Sequence, residues 1–162
     1  MSHIPGDIQF LFKAAVNFHV EGNLQRASEL YDRIRFIDPL HVMTLNNQAL
    51  IARAMGRLEL AHEMLTAALK IEPENFEVLA NIGRVSLQNK QPANAERYLR
   101  KALEKQPADL NLGLSLGKAL HQQGRHDEAR DVLQKFLERD NGNYDLLYNL
   151  GLVSIDDQSF DQ

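Results

Sequence analysis

The sequence has 162 residues, 44% hydrophobic and 25% charged, a composition typical of a folded chain of about one domain. It contains no cysteine, which excludes disulfides, thiolate metal sites and thiol nucleophiles. Its formal net charge of −4 argues against general binding to nucleic acid or to anionic membranes. No apolar run approaches the roughly 18 residues that a membrane span needs, and the first residues have no signal-peptide pattern. We therefore expect a cytoplasmic protein without a membrane span; the absence of cysteine also fits a periplasmic protein whose signal has been removed.

A period of 34 residues runs through the chain from beginning to end. Prolines, alanines and a second column of small residues all keep this step without an insertion. A fixed period of this length is the sequence signature of an array of structural repeats. The three columns are Pro39, Pro73 and Pro107; Ala27, Ala61, Ala95 and Ala129; and Ala15, Ala49, Gly83, Gly117 and Gly151.

Residues 42–75 show what one repeat contains. Apolar and small residues spaced i, i+3, i+4 and i+7 predict a first helix, and Gly56 interrupts that pattern. A second helical pattern follows and must stop before Pro73, because proline excludes the preceding residue from the α region. Asn75 then caps the next helix. Each repeat is therefore predicted to be a pair of antiparallel helices.

The third repeat departs from this pattern at its turn, where Lys90 replaces the glycine of the other repeats. We expect Asn89 to take up the left-handed backbone conformation there, because asparagine tolerates it. Pro92 is expected to begin the second helix, since proline is favoured at the first helical position.

This 34-residue pattern resembles the tetratricopeptide repeat family. The resemblance covers most of the chain and implies an all-α fold, a right-handed solenoid of antiparallel helix pairs with about four and a half repeats. It also implies that the first helix of each pair lines a concave surface. We predict a single domain over 1–162, with repeats at 8–41, 42–75, 76–109 and 110–143 and a partial repeat at 144–162.

The partial repeat predicts an uncovered helix at 144–156. The alanine column would continue at position 163, one residue past the last residue of the sequence, so the second helix of this repeat is missing from it. We expect the sequence to be a piece of a longer protein; the alternative is a natural capping helix that has no partner. Leu147 and Leu150 would then be uncovered, and self-association through this helix is an open alternative.

No residue pattern in the sequence points to catalysis or to a cofactor. The sequence has no HExxH, P-loop, GxSxG or GxGxxG motif, and its six histidines lack the spacing of a metal site. We expect no enzymatic activity, no cofactor and no metal.

One position of each first helix recurs as a row that includes three asparagines. An asparagine amide offers a donor and an acceptor, so it can pair with the backbone of an extended peptide. Three residues later a second row contains Leu50 and two cations, Arg84 and Lys118, which could hold a carboxylate. The predicted peptide-binding residues are Lys13, Asn47, Leu50, Asn81, Arg84, Ser115, Lys118 and Asn149.

Two alternatives to this binding surface remain open. The asparagines could instead bond neighbouring helices, and Glu77 and Asp145 could neutralise the cations. The lysine and asparagine clamp that some family members use for acidic chaperone tails is not implied. Phe12 and Val16 occupy two of its positions, and Glu77 stands where it needs a lysine.

The family resemblance implies a non-catalytic protein–protein interaction scaffold that binds a partner peptide or segment in its concave groove. Two alternatives are a substrate-recruiting arm of a larger enzyme, for example a glycosyltransferase, and a self-assembly module. Reading of RNA by helical repeats is disfavoured, because the chain is acidic and carries no basic stripe. The sequence does not name the partner.

Overall fold

Nine α-helices and no strand make up the described part of the chain, residues 7–159. The structure is a computed structural model that describes the side chains of residues 7–155. The ends of the predicted domain, 1–6 and 160–162, lie outside the described residues. In chain order the helices are α1 (Ile8–Val20), α2 (Leu24–Ile37), α3 (Val42–Ala54), α4 (Leu58–Ile71), α5 (Phe76–Gln88), α6 (Pro92–Lys105), α7 (Leu110–His121), α8 (His126–Leu137) and α9 (Tyr144–Ser159).

The helices follow the order that the repeat predicts, a first and a second helix in each full repeat. The two helices of a repeat contact each other in the pairs α1–α2, α3–α4 and α7–α8. In the third repeat, Gly83 of α5 lies against Leu99 of α6. The predicted all-α arrangement of helix pairs is confirmed. Within 7–159, no helix combines the length and the apolarity needed to cross a bilayer.

The turn within the third repeat corrects one prediction. Lys90, not Asn89, takes the left-handed conformation, with φ of 54° against 75° for Gly56. The reason lies in the hydrogen bonds that end α5. The Lys90 N–H donates to Leu87 O and the Gln91 N–H to Ser86 O, a pattern that requires left-handed backbone at residue 90. The register of the helix end therefore overrides the preference of asparagine.

Side-chain caps fix the start of each first helix that the repeat pattern predicts. The other repeats have Asp or Asn at the capping position, whereas the second repeat has His41. The His41 Nδ1 accepts the Thr44 N–H at 3.3 Å. The sequence does not predict this role for His41, because histidine is not a preferred cap. The predicted cap Asn75 and the residues at the equivalent positions of other repeats, Asp7, Asp109 and Asn143, accept backbone N–H groups of Val78, Gln9, Leu112 and Leu146, respectively, at 2.9–3.1 Å.

The backbone packs as two compact units, Met1–Val78 and Leu79–Gln162, and each has its own buried residues. The prediction of a single domain over 1–162 stays a prediction. In the first unit, α1, α2 and α3 contribute Leu11, Ala15, Ala27, Tyr31, Ile34 and Ile51 to one cluster. In the second unit, the largest fully buried side chains are Leu79, Ile82, Leu99, Leu112, Leu120, Leu133 and Leu146.

Candidate functional site

The eight predicted binding residues all lie on first helices, namely α1, α3, α5, α7 and α9. Lys13, Asn47 and Leu50 belong to the first compact unit. Each unit therefore holds its own part of the predicted surface. The second unit holds Asn81, Arg84, Ser115, Lys118 and Asn149.

The Asn47 side chain connects two helices of the first unit. Its Nδ2 donates to the buried Tyr31 hydroxyl of α2 at 3.1 Å, and its Oδ1 accepts Asn46 Nδ2 at 3.3 Å. Burial raises the pKa of Tyr31, and the hydrogen bond from Asn47 opposes that rise. An amide has two donor hydrogens and two acceptor lone pairs, so one of each is left for a ligand after these two bonds.

Lys13 is exposed on α1 and lines a shallow depression of about 480 Å³. Leu50 is half-buried on α3. The depression joins one cation, one carboxylate, amides and an aromatic ring. The described residues that line it are Asp7, Gln9, Phe10, Lys13, Ala14 and Asn17.

Asn81 and Arg84 are brought together in the second unit. Arg84 Nη1 donates to Asn81 Oδ1 at 3.2 Å, one helical turn apart on α5. Asn81 is buried and Arg84 is half-buried. This hydrogen bond holds the guanidinium next to the buried amide.

Ser115 and Asn149 bond to carbonyls of their own helices. Ser115 Oγ donates to Asn111 O at 2.7 Å, and Asn149 Nδ2 donates to Asp145 O at 2.6 Å. Asn149 is buried, whereas Lys118, in the neighbouring row, is exposed. In the second unit, two of the three residues of the asparagine row are thus buried. In the neighbouring row, Arg84 is half-buried and Lys118 is exposed.

An ionic cluster in the second unit joins α6 to the turn between α7 and α8. Glu96 accepts Arg100 Nε at 2.9 Å, Gln123 Nε2 at 3.0 Å and Arg125 Nη1 at 2.5 Å. Arg125 Nη2 also pairs with Glu128 at 2.6 Å. Burial by itself would raise the pKa of Glu96, but these hydrogen bonds and the charge of Arg100 together lower it. None of these residues belongs to the predicted binding rows. The cluster holds α6 against the turn between α7 and α8.

Metal binding has no candidate ligand set among the residues that the structure describes. No group of three or more His, Asp or Glu side chains there could hold a metal ion. His121 and His126 stack edge to face with ring centroids 5.3 Å apart.

A family model for the tetratricopeptide repeat matches the sequence twice, over residues 52–116 and 86–150. Together the two matches cover more than half of the chain. The chain belongs to the tetratricopeptide repeat family. The resemblance drawn from the 34-residue period, and the all-α repeat fold it implied, are confirmed.

Several solved structures share this tetratricopeptide repeat fold. A MamA double mutant from RS-1 is 17% identical with a TM-score of 0.87, over 97% of this chain and 88% of that one. YrrB, a TPR protein with an unusual peptide-binding site, is 24% identical with a TM-score of 0.84, over 94% and 79%. MamA from Desulfovibrio magneticus RS-1 is 18% identical with a TM-score of 0.77, over 86% and 79%. Comparison with curated proteins gives no match.

The tetratricopeptide repeats also expose a row that the predicted set omits. It stands one helical turn before the asparagine row and keeps the same 34-residue step, which predicts from the sequence that it forms a stripe along the inner groove. All five members are exposed, unlike most of the asparagine row. The members of this row, called the rim row below, are Gln9, Met43, Glu77, Asn111 and Asp145.

Proposed function

We propose that this chain is a non-catalytic scaffold that binds a segment of a partner protein along the first helices of its repeats, in the concave groove that the family implies. The observation that carries the proposal is the rim row, one exposed side chain at the same position of every first helix. Side chains repeated at a fixed step address a ligand that is itself extended. A partner segment with a regular backbone fits that requirement better than a compact small molecule.

Two kinds of contact would hold such a segment. Asn47 keeps one donor and one acceptor after its internal bonds, enough to pair with one peptide group. Lys13 and Lys118 are exposed cations, and Glu77 and Asp145 of the rim row are exposed anions. A segment carrying both signs of charge would therefore be favoured over a purely acidic or purely basic one.

The similarity to YrrB supports a peptide as the ligand class. That protein is described as having an unusual peptide-binding site, and its chain has the same fold as this one. Which residues contact the ligand in this chain is part of our proposal, and we rest it on the exposed rows and on Asn47.

The test uses a display library of random peptides selected on the immobilised chain, followed by titration of the strongest binder. The Lys118→Glu variant should bind that peptide about 3-fold or more weakly, because it reverses an exposed charge beside the proposed ligand path. The matched control is Lys101→Glu, which makes the same change at an exposed lysine of the second helix α6. Equal affinities of these two variants would contradict the proposed surface.

A second pair of variants tests Asn47 itself. Asn47→Ala and Tyr31→Phe both remove the internal hydrogen bond between these residues, but only the first removes the amide. We expect Asn47→Ala to weaken the selected peptide and Tyr31→Phe to leave its affinity unchanged. Equal losses would mean that Asn47 only supports the fold.

The remaining expectations from the sequence stay predictions. They are a cytoplasmic location, a role as the recruiting arm of a larger enzyme and self-association through 144–156. No feature of the described residues favours the enzyme arm over a free-standing scaffold.

A further inference from the structure

The second helices of the third and fourth repeats, α6 and α8, form the two walls of a pocket. Its volume is about 360 Å³, within the range of about 300–1,000 Å³ that ligand pockets span. Leu116 of α7, which lies between α6 and α8 in the chain, is buried and contributes to the base. None of the described lining residues belongs to the first-helix rows of the proposed function, so this pocket is a separate surface.

The base of the pocket is apolar, and the fourth repeat builds part of it in its own way. The other repeats have leucine in the first helix at the position of Gly113. Here the ring of Phe136 lies where a Cβ of residue 113 would be. Phe136 and Leu116 are buried, and Leu103 and Val132 are half-buried. These four lining side chains favour an apolar group of a ligand over water.

Contacts join the two walls at both ends of the pocket. At one end, Arg100 Nη2 of α6 lies 3.8 Å from Glu128 Oε2 of α8. At the other end, just past the two helices, Arg139 Nη1 donates to Pro107 O at 2.9 Å. The Arg139 guanidinium also lies over the Phe136 ring, 5.6 Å from its centroid. Because the walls are joined without a ligand, binding has less ordering entropy to overcome.

An acid and a base stand on opposite walls of this pocket. Glu104 is an exposed residue of α6, and Lys135 is an exposed residue of α8. Neither has a hydrogen bond or an ion pair with another of the residues that the structure describes. Arg100, which also lines the pocket, is already paired, because its Nε donates to Glu96 Oε1 at 2.9 Å. A ligand that crosses the pocket would therefore meet an available anion on one side and an available cation on the other.

We infer that this pocket binds an extended segment of a partner protein that carries a basic, an apolar and an acidic side chain at alternate positions. Alternate residues of an extended chain point to the same side, so all three side chains would face the pocket. The basic side chain would pair with Glu104 and the acidic one with Lys135, while the apolar one anchors on the base between them. A segment with charges of one sign would place a like charge beside one wall.

The experiment titrates the full chain with short peptides and follows its isotope-labelled leucine and valine methyl groups by NMR. The probes are acetyl-Lys-Gly-Leu-Gly-Glu-amide and its reversed sequence, since either chain direction can satisfy the two walls. We expect at least one of them to shift the methyl signals of Leu103, Leu116 and Val132 in a saturable way. Glycine in place of the probe's leucine should abolish these shifts. Lysine in place of its glutamate should weaken binding about 3-fold or more.

Charge reversal at one wall separates recognition from folding. Lys135→Glu should weaken the mixed-charge probe about 3-fold or more and strengthen the probe with two lysines by a similar factor. A gain in affinity for one probe is not a result that a damaged fold produces. The matched control is Lys101→Glu, which changes the exposed lysine at the same position of the preceding repeat, and it should leave both affinities within about 2-fold.

Three outcomes would overturn the inference. One is that neither mixed-charge probe shifts the methyl signals of the pocket. Another is that the probe with glycine in place of leucine binds as tightly as the parent probe. The third is that the Lys135→Glu and Lys101→Glu variants have equal affinities for every probe. Lys118→Glu should leave binding in this pocket unchanged, so failure of this site and failure of the proposed groove are distinguishable.

Discussion

Gly117 of α7 lies directly against Leu133 of α8, so that a methyl group on its Cα would stand 2.6 Å from Leu133 Cγ. Carbon atoms do not approach so closely without displacing one another. The glycine therefore sets how near the two helices of the fourth repeat come to each other. At this position a small side chain is required for the two helices to pack, and this requirement outweighs the low helix propensity of glycine.

We expect the Gly117→Ala variant to be less stable than the parent by about 1 kcal/mol, because overpacking outweighs the gain in helix propensity. Gly151→Ala is the matched control in the same column, with no described atom near its Cβ. It should be more stable by about 0.5–1 kcal/mol. Urea unfolding of both variants measures the difference, and a shift of the same sign in both would contradict the packing argument.

Lys90 provides a second test of the packing and backbone arguments. Its backbone is left-handed, a conformation that is unfavourable for any residue with a Cβ. Lys90→Gly should stabilise the chain by about 0.5–1 kcal/mol. The reverse change at the corresponding position of the fourth repeat, Gly124→Lys, should destabilise it by about 1 kcal/mol. Thermal unfolding measures these changes, with Asn89→Gly as the control. Asn89 is not left-handed, so the control substitution should not stabilise the chain.

Glu96 makes stability depend on pH. Its pKa is lower in the folded chain than its ordinary value of 4.5, so its ionised form stabilises the fold above that pH. As the pH falls below 4.5 and through the folded pKa, this contribution is lost. Glu96→Gln should lower stability by about 1–3 kcal/mol near neutral pH, and the gap to the parent should close in acid.

The control for Glu96 is Glu128→Gln, which removes a carboxylate that also pairs with Arg125 but is about half exposed. The free energy of unfolding of this variant should fall less at neutral pH, because water screens an exposed pair. Denaturant titrations at several pH values provide both curves. A Glu96→Gln gap that stays constant down to strong acid would show that the lost contacts do not depend on ionisation.

The bond between Asn47 and Tyr31 predicts a coupled pair. Tyr31→Phe should cost about 0.5–1.5 kcal/mol of stability, since it removes a hydroxyl that accepts Asn47 Nδ2. The double variant with Asn47→Ala should cost less than the sum of the two single changes, because they remove the same bond. Strict additivity in a double-mutant cycle would mean that the hydrogen bond contributes nothing.

The helix pairs could be predicted from the sequence because the features that define them are local and repeated. Pro73 excludes Glu72 from the α region, and α4 stops at Ile71 as expected. Pro92 begins α6 for the same kind of reason. The left-handed conformation of Lys90 was harder to predict. Residue preference alone favours Asn89, but the register of the helix end determines which residue becomes left-handed.

The binding surface was harder to predict from the sequence than the helices, because a repeated column does not determine the solvent exposure of each of its side chains. Asn47 bonds a tyrosine sixteen residues away, whereas Asn149 bonds its own helix. One column thus holds side chains in different surroundings. Exposure of the rim row depends on the packing of neighbouring helices, which a period of 34 does not specify.

The glycine and leucine contacts within repeats also bear on how such a gene changes over time. Gly83 meets Leu99 and Gly117 meets Leu133 at the same spacing, and neither contact depends on a residue in a distant repeat. Recombination that adds or removes 34 codons therefore moves the glycine and the leucine of such a contact together. This packing contact stays complete within each repeat that remains.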